Sequence, residues 1–557
     1  MPKPIRIVFL GGLGEIGRNC AAVEVEDRII LIDCGLMFPD AEMSGVDLVL
    51  PDFTWLRENA DRVEGVIATH GHEDHVGALS YLLEEMPLKI IGSALTLGMA
   101  RNRITERNLL GQATFIEVAD NERIQVGPFD LEFFPVTHSV PHGFATAIHT
   151  PQGVVLHSGD LKLDTTPVDG RLTDLAGLGH LARNDGIRLF LCDSTNAEQP
   201  GFTESESSIG QSIHELFSAR KGRRMIVACF ASHIHRVQQI ADAAVATGRT
   251  VATLGRSMNA NVALAREMGL LHIPDNKLKA IEDVDGIPEG DLCVISTGSQ
   301  GEPMSALARM ATGDNRFLEI KPEDCVLLSS HPIPGNESSV SSVIDGLIRR
   351  GAEVIHSGIS RVHASGHAQA GELRVLHSIV QPEYFIPVHG EYRHMRCHAD
   401  IAIEMGTDEA NVHICSDGDS MILSDKGLRR GDTVPSEYIY MAGSVGALDQ
   451  SVLLDRRVLG EEGFVSVIVQ IAKGDKGLEL VGDPEVISRG WVEGSEGEEL
   501  RGQARKAVRQ AVVSLLAAGS PEQKDIERVV RRAVGRFINR ETRLRPMVVP
   551  VVVGTVD

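Results

Sequence analysis

The chain has 557 residues, 43% hydrophobic and 24% charged, with a formal net charge of −23 and a mean hydropathy of −0.02. That length exceeds what one hydrophobic core organises, so two to four domains are expected, and the composition excludes a disordered chain. No apolar run approaches the ~20 residues of a membrane span, the start MPKPIRIVFLGG lacks a signal-peptide core, and the eight scattered cysteines contain no CxxC pair; a cytoplasmic protein with reduced core thiols and no membrane association is expected.

In chain order, the first two hundred residues alternate β-rich runs with turns: RIVFLGG, AAVEV, RIILIDCG, GVIATH, LEFFPVTH, AIHT, GVVLHSGD and RLFLCDST. Several of these runs end on His or Asp. Gly12-Leu13-Gly14-Glu15-Ile16-Gly17 matches a dinucleotide fingerprint, with Asp33 at a suitable distance for a ribose contact. Such a site needs a helix after the third glycine, whereas NCAAVEVEDRIILIDCG reads as a β-hairpin, so the glycines are expected to shape a tight loop beside a site built by later residues.

From about Glu204 helices interleave with strands, as in SIGQSIHELFSAR, RMIVACF, HRVQQIADAAVATG and TVATLG, which predicts an α/β unit. Strand-ending motifs return beyond Arg361 in YFIPVHG and VHICSDG, so that unit is expected to be an insertion. A Gly-containing stretch around 442–463 reads as a linker. After it come a strand, two helical runs (498–518, and 521–541 with Pro521 at a helix start) and the apolar run PMVVPVVVG. The expected boundaries are 1–205, an insertion at 206–360, a return at 361–447, a linker at 448–464 and a small α+β domain at 465–557. Residues 501–546 hold 12 Lys+Arg against 4 Asp+Glu, a basic island of +8 in a chain otherwise at −31. Two solvated amphipathic helices account for it more readily than a dedicated nucleic-acid surface.

The stretch ATHGHEDHVG concentrates ligands. His70 and His72 alternate as on an extended segment, while Asp74 and His75 fall where the helical run VGALSYLLEE begins. The two pairs diverge, which suits two metal ions better than one, and no cysteine lies nearby to suggest a saturated structural zinc site. Strand-ending His138, Asp160 and His389 are the candidates to complete the sites. An imidazole-rich shell favours Zn2+, and the carboxylates equally suit Mn2+.

This order of motifs, with Asp33 of LIDCG, resembles the metallo-β-lactamase fold, a four-layer αββα sandwich with a two-metal site on one rim. The resemblance implies that His70, His72 and His138 hold one divalent ion, that Asp74, His75 and His389 hold the other, that Asp160 bridges them, and that Asp33 orients a ligand from behind. The insertion's edges carry CDSTN, SGHA and PVHGE, which resemble the A, B and C motifs of β-CASP nucleases and would make Asp193, His367 and His389 their key residues. The strings ASHIHR, GRSMNANVALARE, STGSQGEPMSALARMA, PIPGNE and HASGHA are similar to the ribonuclease J family over essentially the whole chain. The implied fold class is an α/β metallo-β-lactamase sandwich with an inserted β-CASP α/β domain and a small C-terminal α+β domain. The implied activity is a two-metal phosphodiesterase acting on single-stranded RNA, 5′-to-3′ with internal cutting, in rRNA processing and mRNA decay.

Within that reading Asp74, Asp160, Asp193 and His367 carry the chemistry. His367 touches the scissile phosphate or protonates the leaving 3′-oxygen, with Asp193 orienting it. Ser232, His233, His363, Ser365 and Gly366 are expected to cradle a 5′-phosphate, and Arg236, Arg256, Arg101, Arg103 and Arg107 to extend the RNA path. His142 and His331 depart from the expected pattern and stand as further candidates near the site. The alternatives are a DNA-processing β-CASP nuclease, a small-molecule metallohydrolase and a non-catalytic RNA-binding scaffold. A homodimer or homotetramer, and membership of an RNA-degradation assembly, are the implied partners.

Overall fold

A computed structural model describes residues 3–40, 43–302, 304–333, 335–443, 446–474, 477–519 and 521–554. Two mixed sheets form a sandwich. The first runs, edge to edge, Gly427–Arg430, Ser420–Ser424, Ile5–Gly11, Cys20–Val25, Arg28–Ile32, Val63–Ile67, Leu88–Gly92 and Ala113–Glu117. The second runs Tyr384–Val388, Ile187–Asp193, Gly153–His157, Gly143–Thr150, Phe129–Val136 and Arg123–Val126.

Alternation places one set of side chains from each sheet in a shared apolar layer: Ile7, Phe9, Val23, Ile30 and Ile32 meet Leu131, Phe133, Val155, Leu191 and Ile386. The outer face of the second sheet, Phe134, Leu156 and Phe190, packs on helices Leu175–Asn184, Ala370–Val380 and Tyr392–Glu404 through Leu178, Leu181, Leu373, Leu376 and Ile401. Helices also carry buried Leu79, Leu82, Leu83, Leu95 and Ala100 beside the first sheet. This is the αββα sandwich expected from the sequence.

Between Met225 and His356 lies a separate six-stranded sheet, parallel throughout, in the order Leu278–Ala280, Thr250–Leu254, Leu292–Ser296, Met225–Ala228, Cys325–Leu328 and Glu353–His356. Helices cover both faces, which is why its strands read as unbroken apolar runs. Ile209, Ile213, Phe217, Val237 and Ile240 fill one side, and Leu307, Met310, Val340, Val343 and Leu347 the other. The chain then re-enters the sandwich at Tyr384–Val388, parallel to Ile187–Asp193.

The C-terminal unit contains strands Phe464–Gly474, Gly477–Arg489 and Met547–Val553, with helices Gly494–Ala517 and Gln523–Thr542 packed through Ala504, Val508, Val512, Val530, Val534 and Ile538. The first helix begins four residues ahead of the expected 498–518. Pro521 precedes the N-cap residue Glu522 rather than occupying the first turn. Pro550 sits on an edge strand, the place in a sheet where a residue without an N–H is tolerated. The expected linker at 448–464 is instead largely a helix, Gln450–Glu461. Asp449 caps it by accepting from the Ser451 N–H at 2.8 Å, and the Leu- and Arg-rich run after it outweighs the single Gly460 near its end. Among the described residues no helix is long and apolar enough to cross a membrane.

Candidate metal centre

The ligand-bearing residues stand at strand ends along one rim. Asp33 follows Arg28–Ile32, His70 follows Val63–Ile67, His138 follows Phe129–Val136, Asp160 follows Gly153–His157, Asp193 closes Ile187–Asp193, and His389 follows Tyr384–Val388. Asp33 and His389 adopt left-handed backbone, φ 61° and 53°, which turns the chain away from the sheet at the ligand itself. The helical run after His72 is two short helices, Glu73–Val76 and Leu79–Glu85. Asp74 and His75 lie in the first, and the loop 33–37 lies directly against it. Cys34 N–H donates to His75 O at 2.8 Å and Leu36 N–H to Glu73 O at 3.0 Å, an approach that only glycine at position 35 permits, because a Cβ there would lie 1.6 Å from Asp74 O.

Two ligand clusters result. His70 Nε2, His72 Nδ1 and His138 Nε2 converge, with His72 Nδ1 3.0 Å from His70 Nε2 and 3.2 Å from His138 Nε2. Asp74 Oδ2 lies 3.2 Å from His389 Nε2 and 3.6 Å from His75 Nε2. Asp160 Oδ2 belongs to both clusters, at 3.7 and 3.9 Å from His70 and His138 and at 3.1 and 3.7 Å from His75 and His389. A tetrahedron with zinc–nitrogen bonds of ~2.0–2.1 Å has edges of about 3.3 Å, so each cluster has the dimensions of a cation cage.

The hydrogen bonds behind the rings point the same way. His75 Nδ1–H donates to Asp33 Oδ2 at 2.7 Å and His138 Nδ1–H to Gly366 O at 2.8 Å, so that each Nε2 faces inward as the nitrogen a cation would take. Asp33 Oδ1 also accepts from the Thr69 N–H at 2.8 Å, and Oδ2 from the Thr69 hydroxyl at 2.8 Å. A convergence of imidazole lone pairs and two carboxylates fits divalent cations.

The electrostatics follow from crowding. Burial and the neighbouring His75 hold His70 well below the ordinary imidazole range, burial and His367 do the same to His138, and burial brings His72 down to about 4. Burial also opposes charging of His75 and His389, yet Asp160, Asp74 and Asp33 raise His75, and Asp160, Asp193 and Asp74 raise His389 to about 10. Asp160 is buried, which by itself favours its neutral form, but His389, His75 and His70 hold it ionised well below the usual carboxylate range.

His367 stands beside the clusters with its side chain 19% exposed, between His138 and His389, at ring-centroid distances of 5.0 and 5.4 Å. Its Nδ1–H donates to Asp193 Oδ2 at 2.7 Å. Burial opposes protonation of His367, but Asp193 and Asp160 raise its pKa. A third grouping, Asp160, Asp193, His367 and His389, is therefore an acid–base pair joined to a ligand cluster rather than a further cage.

The remaining candidates divide. Ser365 Oγ accepts from Asn196 Nδ2 at 2.8 Å and from the His367 N–H at 3.2 Å, keeping its own proton to donate. Gly366 serves through its carbonyl on His138, and a Cβ there would lie 2.6 Å from that ring. His363 Nδ1 is buried without a hydrogen-bond partner, and Ser232 is half-buried. His233 does not present itself to a phosphate: it is 2% exposed, its Nδ1 accepts from the Arg236 N–H at 3.4 Å as a helix cap, and its Nε2 faces Glu206 at 3.4 Å.

Arg236 does not line an RNA path either. It is fully buried and spends its donors on Glu206, Ser329 and the Val362 carbonyl. Arg103 pairs with Glu73, Arg107 pairs with Glu84 over the Tyr81 ring, and Arg101 lies over Phe115, whereas Arg256 is exposed. His142 and His331 stand outside both clusters. His142 faces Arg171, Asp169 and Asp120, and His331 Nδ1 reaches Ser357 Oγ at 3.4 Å. Thr69, Thr195 and Asn196 were not singled out from the sequence, although each is a hydroxyl or amide within two or three residues of a candidate ligand or of Asp193.

Comparison with known proteins covers the whole chain. The profiles of the metallo-beta-lactamase superfamily, the Ribonuclease J beta-CASP domain, the Zn-dependent metallo-hydrolase RNA specificity domain and the Ribonuclease J C-terminal domain match residues 13–193, 222–347, 352–415 and 451–555. The chain is 41% identical to Ribonuclease J of Mycolicibacterium smegmatis over 99% of its own length and 98% of the relative's. It is 39% identical to Ribonuclease J of Thermus thermophilus, with 99% and 95% covered, and 35% identical to Ribonuclease J2 of Bacillus subtilis, with 98% of each covered. A crystal structure of a protein of unknown function from Enterococcus faecalis V583 shares the fold at a TM-score of 0.53 and 16% identity, covering 76% of this chain and 100% of that one.

Proposed function

The chain belongs to the ribonuclease J family and is a metal-dependent ribonuclease; from that premise we propose that it degrades single-stranded RNA 5′-to-3′, favours 5′-monophosphate ends and also cuts internally, in cytoplasmic RNA decay and maturation. The observation that carries the chemistry is the single oxygen, Asp160 Oδ2, shared by two four-residue clusters beside the Asp193–His367 pair. We assign His70, His72 and His138 to one divalent ion and Asp74, His75 and His389 to a second, with Asp160 common to both. Zn2+ is the first choice for so many imidazoles, and Mn2+ the second. Two such ions supply charge stabilisation on the phosphoryl oxygens and a nucleophile from water at neutral pH.

The chain's own groups do the rest. His367, whose protonated form Asp193 favours, delivers its proton to the leaving 3′-oxygen from the rim. Asn196 fixes the 365–367 turn by donating to Ser365 Oγ and to the His367 carbonyl. Ser365, Ser232 and His363 make up the anion cradle that recognises a terminal phosphate. Self-association into a dimer or tetramer is assigned to the C-terminal unit, whose edge strand exposes Val549, Val551 and Val553 in alternation, and the same surfaces are available to an RNA-degradation assembly.

The test compares one RNA carrying a 5′-monophosphate, triphosphate or hydroxyl, with a matched DNA. Release of mononucleotides fastest from the monophosphate, with the DNA refractory and Ser365→Ala erasing the preference, is expected. Equal rates on all three ends, or digestion from the 3′ end, would leave only an endonuclease.

A further inference from the structure

Each of the two buried carboxylates behind the metal centre serves two imidazoles, one directly and one through a threonine. Asp193 Oδ2 accepts from His367 Nδ1–H at 2.7 Å, while its Oδ1 lies 2.7 Å from Thr195 Oγ1, which lies 2.5 Å from His389 Nδ1. Asp33 Oδ2 accepts from His75 Nδ1–H at 2.7 Å and lies 2.8 Å from Thr69 Oγ1, which lies 3.2 Å from His70 Nδ1. A hydroxyl has one proton, and an ionised carboxylate only accepts. The proton of each threonine therefore goes to the aspartate, and the threonine lone pair must accept from the imidazole. His389 and His70 thereby keep a proton on Nδ1, so Nε2, which faces the Asp160 carboxylate in each cluster, is the nitrogen a divalent ion would take.

Sheet register fixes the geometry. Ile187–Asp193 and Tyr384–Val388 are parallel neighbours with Asp193 opposite Val388, and the Ser194 N–H donates to His389 O at 3.1 Å, so Thr195 cannot drift from His389.

We propose that Thr195 and Thr69 are a matched pair of positioning residues, each setting the tautomer and ring orientation of one imidazole per metal cluster, His389 for the second and His70 for the first. This rests on the assignment of two divalent ions given above. It predicts a division of labour: loss of the Thr195 hydroxyl weakens the cluster of Asp74, His75 and His389 and spares the other, while loss of the Thr69 hydroxyl weakens the cluster of His70, His72 and His138 most and touches the second through Asp33 Oδ2 and His75 Nδ1, 2.8 and 3.5 Å from the Thr69 oxygen.

The experiment uses the full-length protein stripped of metal and titrated with Zn2+ against a chromophoric chelator. Anomalous diffraction from crystals at one equivalent of Zn2+ shows which cluster retains the ion. Thr195→Val is expected to weaken one binding step about 10- to 100-fold, with the remaining ion among His70, His72 and His138. Thr195→Ser, which keeps the hydroxyl, should stay within about threefold of the parent. Thr69→Val should weaken the step at His70, His72 and His138 more than the other, with Thr69→Ser parent-like, and Thr195→Ala replaces valine if that variant does not fold. In Thr195→Val, unchanged affinity or loss of both ions together would overturn the proposal, as would a loss in Thr195→Ser as large as in Thr195→Val, which would show that the methyl and not the hydroxyl matters. A parent protein that takes up a single ion would instead overturn the two-ion assignment, and with it the role of the threonine beside the empty cluster.

Discussion

Replacing Asp33 by asparagine tests the centre without touching any group proposed to meet metal or RNA. The carboxylate is 1% exposed and accepts three hydrogen bonds, from His75 Nδ1–H at 2.7 Å and from the Thr69 N–H and hydroxyl at 2.8 Å each. Asparagine is isosteric and keeps one oxygen, which the Thr69 N–H continues to occupy. Its amide then meets His75 donor to donor. The cheapest relief is for His75 to become the Nε2–H tautomer, fixing a proton on the nitrogen that faces Asp160 and Asp74 and that a cation would need bare. Loss of such an outer partner costs about 10- to 100-fold in metal affinity, or roughly 1.4–2.7 kcal/mol, and a wrong tautomer at a catalytic imidazole lowers turnover by up to ~10^4. Chelator competition on the metal-free protein, followed by cleavage at limiting and saturating Zn2+, separates the two effects. The expected result is weakened binding at the cluster containing His75, with turnover partly restored by excess metal. Parent-like affinity together with parent-like turnover would refute the reasoning, since it would mean that the tautomer of His75 is set by something other than Asp33.

His367→Asn should lower the single-turnover rate by about 10^2- to 10^4-fold with metal content unchanged. Because Asp193, against burial, keeps the folded pKa of His367 above its ordinary value, the proton is lost at higher pH than from a free imidazole; the parent's rate should fall as pH rises through that pKa and the variant's should not, in a pH–rate profile at saturating metal. Asp160→Ala and His75→Ala should abolish cleavage while RNA binding, followed by fluorescence anisotropy, stays measurable. Arg236→Met should destabilise the protein by about 3–5 kcal/mol, because Glu206 is left buried and uncompensated; a urea-unfolding shift under ~1 kcal/mol would contradict the buried-pair account.

Much of the fold and of the ligand set was legible in the sequence because both rest on local rules. Apolar runs of five to eight residues closed by His or Asp announce strands that deliver polar groups to one rim, and HGHEDH alternates and then coils, so that one hexapeptide splits its ligands between two cages. The hairpin after GGLGEIGR was readable for the same reason, since Glu24, Val25 and the turn at Glu26 and Asp27 leave no room for a helix. Functions that depend on what a side chain meets across the fold were not readable. His233 stands in ASHIHR as an exposed loop histidine would, yet the helix it caps and Glu206 bury it; Arg236 looks like a hand for RNA until the same glutamate claims it. Arg103 and Arg107 read as a basic track because their acidic partners are 30 and 23 residues away in the chain. Thr69 and Thr195 carry no signal of their own. Their hydroxyls acquire a role only when register brings Asp33 and His70, or Asp193 and His389, within hydrogen-bond reach on opposite sides of one oxygen. Periodicity and strand-end chemistry are properties of neighbours in sequence and survive in a string of letters; burial, charge pairing and the direction of a shared proton are properties of neighbours in space, and those the tertiary structure alone decided.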